Sequence, residues 1–358
     1  MPAGSIANAA LICVAFISIT LFAGPAFARA HTDVIILKNG DRITGEVKSL
    51  QAGILKVDLD YVDGTISVDW RKVARIESSA LFLIQMNDGS IHSGKLVTPD
   101  TLAGAPVKIE IYTGSEEPFV VDKAQIVRLN EAFESRWKRL GGNITIGSQL
   151  SKGNNTTQYN IATELDYQAT LWGGKFSQSS SLSASTGAAT STRNQLDVAV
   201  YRVLRWNSYF YGGSAGYLQS TVQGIQRQAD VAGTVGRYFV NTNRVRFSVA
   251  GGFGWQGTQY IPSSGAGQQN LTVALLVANL DVFTFKKTTL NVNASLVPAL
   301  TDAGRYFSRV NASYYLKVFG KIDWNLSFYG SWDSKPPGNL QGRDYGTSTG
   351  LSYTFGNK

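Results

Sequence analysis

The chain has 358 residues, a net charge of +8 and 16% charged side chains, against about 25% in ordinary soluble domains. Its one cysteine, Cys13, lies in an apolar N-terminal stretch, which excludes a disulfide framework and cysteine-based metal or nucleophile chemistry in the remainder. The basic residues are scattered over expected strand ends and turns and form no run, so no nucleic acid is expected as a partner.

Residues 1–30 read as a secretory signal peptide. An apolar core spans 11–22, and both Ala26-Phe27-Ala28 and Ala28-Arg29-Ala30 fit the small-x-small cleavage pattern, placing cleavage after Ala28 or Ala30. The core is short for a membrane span, which needs about 20 apolar residues. Two small β units are expected next, 31–80 and 81–130. Each opens on a hairpin-turn dipeptide between apolar runs, Asn39-Gly40 and Asp88-Gly89, and Gly45 recurs at the same spacing as Gly94. The units also close alike, Val68-Asp69 with Arg75-Ile76 and Val121-Asp122 with Arg128-Leu129. Each resembles an SH3-like or Sm-like module, and two copies together bury enough apolar surface to fold. Residues 131–142 read as a helical linker, with Phe133, Trp137 and Leu140 at helical spacing and Gly141-Gly142 marking the boundary.

From 143 to 358 the pattern is a succession of segments alternating in polarity. In 306–318, Tyr306, Val310, Ala312, Tyr314, Leu316 and Val318 share one parity. Arg309, Asn311, Ser313 and Lys317 share the other, which Phe307 and Tyr315 interrupt. A period of two puts one face of a strand in apolar surroundings and the other in water. Twelve such segments can be counted, with short turns alternating with longer loops, which predicts a ~12-stranded antiparallel transmembrane β-barrel. The predicted fold class is therefore all-β: an N-terminal tandem of small β units, then an outer-membrane barrel. Parity directs Glu164, Asp166, Asp197, Asp230, Arg246, Arg309, Lys317 and Asp323 into the lumen. A basic rim is expected at the short turns, from Lys175, Arg202, Arg205, Arg237, Arg244, Lys286, Lys287, Lys317 and Lys321.

No phosphate loop, zinc spacing or calcium loop is present, so no catalytic residue, metal or cofactor is expected. Both histidines, His31 and His92, precede the barrel, which excludes a Ser-His or Asp-His site there. A barrel enzyme would fall back on Glu164 and Asp166, two apart on one strand face, and is the least favoured reading. The favoured one is a small passive channel or weakly selective porin-like pore. The alternative is a non-conducting envelope structural or stress protein whose periplasmic tandem binds a partner or peptidoglycan. Outer-membrane lipids are expected around the barrel.

The opening at residues 37–45 (Leu-Lys-Asn-Gly-Asp-Arg-Ile-Thr-Gly) and the Gly-rich barrel ending Leu351-Ser-Tyr-Thr-Phe355 resemble the bacterial family of salt-induced outer-membrane proteins, of unknown function. That resemblance implies an envelope location and a barrel, and carries no functional residues across. The alternation of Leu351, Tyr353 and Phe355 also resembles the assembly signal of outer-membrane barrels, implying the barrel-assembly machinery as a partner. It departs from that signal in the three residues that follow the last aromatic, Gly356-Asn357-Lys358.

Overall fold

The computed structural model describes residues 32–99, 106–113, 117–132, 139–151, 156–169, 171–185, 190–204, 208–262, 267–283, 288–338 and 340–355. The expected signal peptide and most of the expected helical linker lie outside these residues.

The N-terminal strands are β1 (Asp33–Leu37), β2 (Arg42–Gln51), β3 (Ile54–Asp58), β4 (Thr65–Asp69), β5 (Val73–Met86), β6 (Ile91–Val97), β7 (Lys108–Tyr112), β8 (Phe119–Asp122) and β9 (Ile126–Glu131). They form one sheet in the order β4-β3-β2-β1-β5-β6-β7-β8, with β9 pairing both β2 and β5. Where two stacked units were expected, the halves are fused. The 14-residue β5 completes the first repeat against β1 and opens the second against β6 and β9. One core joins them, with Ile35, Val47 and Leu55 from the first half packed with Phe82, Ile109, Ile126 and Leu129 from the second, all fully buried.

The repeat is legible in the backbone. Gly40 and Gly89 have φ +90° and +88°, the left-handed region that the last residue of a three-residue hairpin loop demands, the loops closing on Leu37 with Asp41 and on Met86 with Ser90. Gly45 and Gly94 are glycine for a different reason. A Cβ would stand 2.4 Å from the Asp58 carbonyl oxygen in the first case and 2.7 Å from that of Tyr112 in the second. Each unit closes on a 3-10 turn capped by an aspartate: Asp69 accepts from Arg71 N (3.0 Å) and Asp122 from Ala124 N (2.8 Å). The first residues of these turns, Trp70 and Lys123, embrace across the repeat. Trp70 Nε1 donates to the Lys123 carbonyl (3.3 Å), while Lys123 Nζ donates to the carbonyls of Trp70 (3.0 Å) and Val73.

The barrel comprises β10 (Leu140–Ser151), β11 (Thr156–Gln168), β12 (Trp172–Ser185), β13 (Ser191–Val203), β14 (Tyr209–Ser220), β15 (Ile225–Asn241), β16 (Val245–Tyr260), β17 (Gln268–Phe283), β18 (Thr288–Pro298), β19 (Tyr306–Phe319), β20 (Ile322–Asp333) and β21 (Arg343–Phe355). All neighbours are antiparallel and β21 pairs back to β10, so the sheet closes with the expected twelve strands. Gly141 and Gly142, expected as a boundary, lie inside β10. A Cβ at Gly142 would sit 2.3 Å from the Glu164 carbonyl oxygen, so this glycine serves a close strand approach.

Connections of two to five residues gather at one end of the barrel and connections of four to nine at the other. The outer surface is apolar, with Ile146, Ile161, Val231, Val235, Phe253, Leu276 and Leu351 exposed. Exposed aromatics flank it in two girdles. Trp172, Tyr211, Phe239, Phe319, Trp324 and Tyr353 ring the short-turn end, and Tyr159, Tyr217, Trp255, Tyr306 and Tyr345 the long-loop end. An apolar band between aromatic girdles on a closed barrel is the surface of a membrane-spanning barrel.

Two outcomes are expected. Gly45→Ala and Gly94→Ala each destabilise the module by about 1–3 kcal/mol through overpacking, read as a lower urea midpoint of the refolded full-length protein. Burial also holds the Lys123 pKa down at about 8 from the ordinary 10.5, with Lys38 adding to the effect. Between these values the unfolded chain keeps a proton that the folded one has released, so module stability rises with pH across that window. Lys123→Met should abolish that slope in urea midpoints taken across the window.

Candidate functional site

The inner wall of the barrel is largely polar, because each strand alternates and the outer parity is apolar. It carries small apolar clusters at the two ends, around Phe210 near the short turns and around Leu218 and Phe307 near the long loops. At the long-loop end it is tied by two buried ion pairs. Arg193 lies 2.6 Å from Asp344, which also accepts from Ser220 Oγ (2.9 Å), and Arg193 stacks over Tyr329 at 4.7 Å. Arg305 holds Asp333 in a fork, Nε to Oδ1 at 3.0 Å and Nη2 to Oδ2 at 2.6 Å, and donates further to Tyr260 and Gln269. A small recess between them is lined by Leu218, Ile225, Gln228, Tyr260, Phe307 and Leu340.

In the middle, Asp230 lies 3.5 Å from Arg309, Asp197 accepts from Gln195 Nε2 (2.7 Å), and Asn293 donates to Asn279 (2.6 Å). Apart from the buried Gln195 these side chains are half-buried, and Ser179 on the same wall is exposed, so the middle is not a packed core. Nearer the short turns, Glu164 accepts from Asn143 Nδ2 at 3.1 Å, beside Tyr315. Asp166 stands opposite Lys175, and Arg246 opposite Asp281 with its guanidinium over Phe283 at 5.7 Å.

Six of the eight residues expected in the lumen therefore lie along this wall: Glu164, Asp166, Asp197, Asp230, Arg246 and Arg309. Lys317 and Asp323 face each other across β19 and β20 at the short-turn rim, where Lys317 is exposed and Asp323 accepts from Thr354 Oγ1 (2.6 Å). Lys175, expected in the basic rim, shares the inward parity of Gly173 and Ser177 and belongs to the wall. Phe307 and Tyr315, which interrupt the sequence parity, are inward aromatics. Arg193 and Asp344 lie near the starts of β13 and β21; extending the parity of Gln195 and Asp197 by one step back reaches Arg193.

The short-turn mouth is covered by the N-terminal module. The turn after β5 meets the β13–β14 turn: Ser208 N donates to the Asp88 carbonyl (3.0 Å) and Ser208 Oγ to that of Asn87 (3.1 Å). The expected turn residues Asp88 and Gly89 thus form part of the docking surface, while Asn39 caps its own turn by contacts with Asp41. Asn243, in the β15–β16 turn, donates to the Ile126 carbonyl at 2.7 Å and abuts Gly53. From β9, Arg128 enters the mouth, 5% exposed, within electrostatic reach of Arg246, Tyr201, Tyr238 and Asp166. Its repeat equivalent, Arg75, forms an ion pair with Glu77 at the module surface (2.5 Å). No local signal separates the two arginines in the sequence.

His92 stacks on Phe119 with ring centroids 4.4 Å apart, away from any acid–base partner in the barrel. Among the described residues no group of three His, Cys, Asp or Glu side chains is placed to hold a metal ion. Replacing Asp344 by Ala leaves Arg193 buried without its counter-charge. This should cost about 3–5 kcal/mol, measured as a loss of heat-resistant folded barrel on gels, and Arg193→Met in the same chain should restore much of it.

Residues 144–355 match the family model described as "Protein of unknown function, DUF481", which spans more than half of the chain, and the chain belongs to that family. No curated protein matches it. Among solved structures it is similar to a porin, at 8% identity and TM-score 0.27 over 60% of this chain and 99% of that one. It is similar also to the β domain of the Bordetella autotransporter BrkA, at 13% identity and TM-score 0.30 over 61% and 98%. A third is the translocator domain of autotransporter NalP from Neisseria meningitidis, at 12% identity and TM-score 0.30 over 60% and 88%.

Proposed function

We propose that the chain is an outer-membrane barrel, with its module on the periplasmic side, that forms a narrow polar pore for small solutes and carries its own cover. The observation behind this reading is the contrast between the middle and the mouth of the lumen. In the middle the wall is charged, half-exposed and without an apolar cluster among the described residues, whereas the short-turn mouth is closed over by β9 and the β5–β6 turn. Twelve strands enclose enough room for a water-filled path between inward side chains. The absence of histidine from the barrel sequence is compatible with a transport role.

A second reading is favoured by the hydrogen bonds that seat the module. It is a non-conducting envelope protein whose tandem engages a periplasmic partner or peptidoglycan, and the resemblance to salt-induced outer-membrane proteins fits it equally well.

One experiment separates the two. A Cβ at Gly53 would lie 3.6 Å from the Asn243 Cβ, inside the disulfide range of about 3.5–4.5 Å. It would also stand 2.9 Å from the Asn243 carbonyl oxygen on a backbone at φ +75°, so the bridge forms with a small shift of the β15–β16 turn. Gly53→Cys with Asn243→Cys therefore staples the cover to the rim, and the exported chain has no other thiol if cleavage follows Ala28 or Ala30. In a planar bilayer the oxidised staple should hold current at a low level, and reduction should release discrete, larger steps. A correctly folded protein that stays silent in both states favours the second reading.

A further inference from the structure

At the covered mouth Arg128 of the module lies within electrostatic reach of three further hydrogen-bond donors on the barrel wall, Arg246, Tyr201 and Tyr238. Arg128 is buried two residues beyond the Ile126 carbonyl that Asn243 holds, and both tyrosines pack on the cluster around Phe210. Tyr201 is laid across Gly173, where a Cβ would stand 2.2 Å from its ring, and Phe210 packs between the two phenols at 6.2 and 5.0 Å. These rings are thereby held in place by the wall. Arg246 rests on Phe283. None of the four side chains forms a hydrogen bond or ion pair to a protein acceptor among the described residues, and Arg128 Nε is buried without a partner. Two guanidinium groups placed together with no carboxylate bound to either repel each other. Here the bonds from Ser208 and Asn243 prevent that repulsion from being relieved by lifting the module.

The nearby acids do not fill the role. Asp281 faces Arg246 in register without forming an ion pair with it, and Asp166 and Glu164 lie with Asp281 around the Lys175 ammonium. Burial, and then Arg246, hold the Arg128 pKa down at about 9, and Tyr201, Tyr238 and Asp166 offset this only in part. A cradle of two donor-only guanidinium groups and two phenolic hydroxyls matches an oxyanion, whose several oxygens accept charge-assisted bonds in a forked geometry.

We propose that the covered mouth is a binding site for a small oxyanion of the phosphate class, held between Arg128 of the module and Arg246, Tyr201 and Tyr238 of the barrel. The site stands whether or not the lumen conducts, because binding is read separately from current. An occupied site bridges module and barrel, so the anion fastens the cover.

The test is calorimetric titration of inorganic phosphate into the refolded full-length protein in neutral detergent, against chloride of equal ionic strength. Saturable binding is expected, with Arg128→Gln and Arg246→Gln each weakening it by about tenfold or more and Tyr238→Phe by less. Repeating Arg128→Gln in the oxidised Gly53→Cys/Asn243→Cys background keeps the cover seated, so a loss there reports the guanidinium and not undocking. The same titration in nanodiscs of phosphatidylcholine and of phosphatidylglycerol identifies the source. Phosphate binding that persists in both assigns a free anion, and binding blocked by phosphatidylglycerol alone assigns a lipid headgroup. Heat no different from that of chloride, or unchanged affinity in both arginine variants, overturns the proposal.

Discussion

The pairing of β21 with β10 is the constraint from which the rest follows. In hydrocarbon no water is available to an unpaired N–H or C=O, so a sheet that crosses a membrane must close on itself. Closure joins Gly142 to Phe355 and Ile146 to Leu351, with Ile146 and Leu351 exposed to the outside and Thr145 donating to Ser352 (3.0 Å) on the inside. Once the ring is shut, every strand inherits the same division. The outward parity is apolar and aromatic, and the inward parity is free to carry charge. An even strand number then returns the last strand to the end where the first began, which is the end the module covers.

The two halves of the chain are stabilised by different physics. In the module, one apolar core shared by both repeats excludes water, and Asp33, buried at its edge, is matched: it accepts from Val47 N (2.8 Å) and from Ser78 Oγ (2.5 Å). In the barrel the apolar residues face outward, and the interior is held by ion pairs, amide contacts and hydroxyl ladders. A buried ion pair adds little net stability compared with apolar packing, but it fixes geometry once formed. The Arg193–Asp344 and Arg305–Asp333 pairs fix the long-loop end in this way.

Much of this was legible in the amino-acid sequence because a period of two is a strong signal when one face meets lipid. Strand number, the alternation of turns and loops, and the inward direction of Glu164, Asp197 and Asp230 all follow from parity alone. The duplication was legible because Gly40 and Gly89 answer to a backbone requirement and Gly45 and Gly94 to a steric one. Fusion of the repeats was hidden, since no residue announces that β5 will serve both. Lys175 was misread because a lysine next to a turn resembles a solvated rim. Arg128 was beyond reach, because its surroundings come from β11, β13, β15 and β16, far along the chain, and its own repeat partner Arg75 lies on a surface.

Only eight residues separate the end of β9 at Glu131 from the start of β10 at Leu140. A fully extended chain of that length spans on the order of 30 Å. A cover that lets go is therefore confined to a volume little larger than itself, at an effective concentration in the millimolar range or above. Contacts too weak to join two separate molecules suffice to keep it seated, and reseating is independent of protein concentration. Any release of the cover would then be a property of each molecule alone, set by the handful of bonds at the rim.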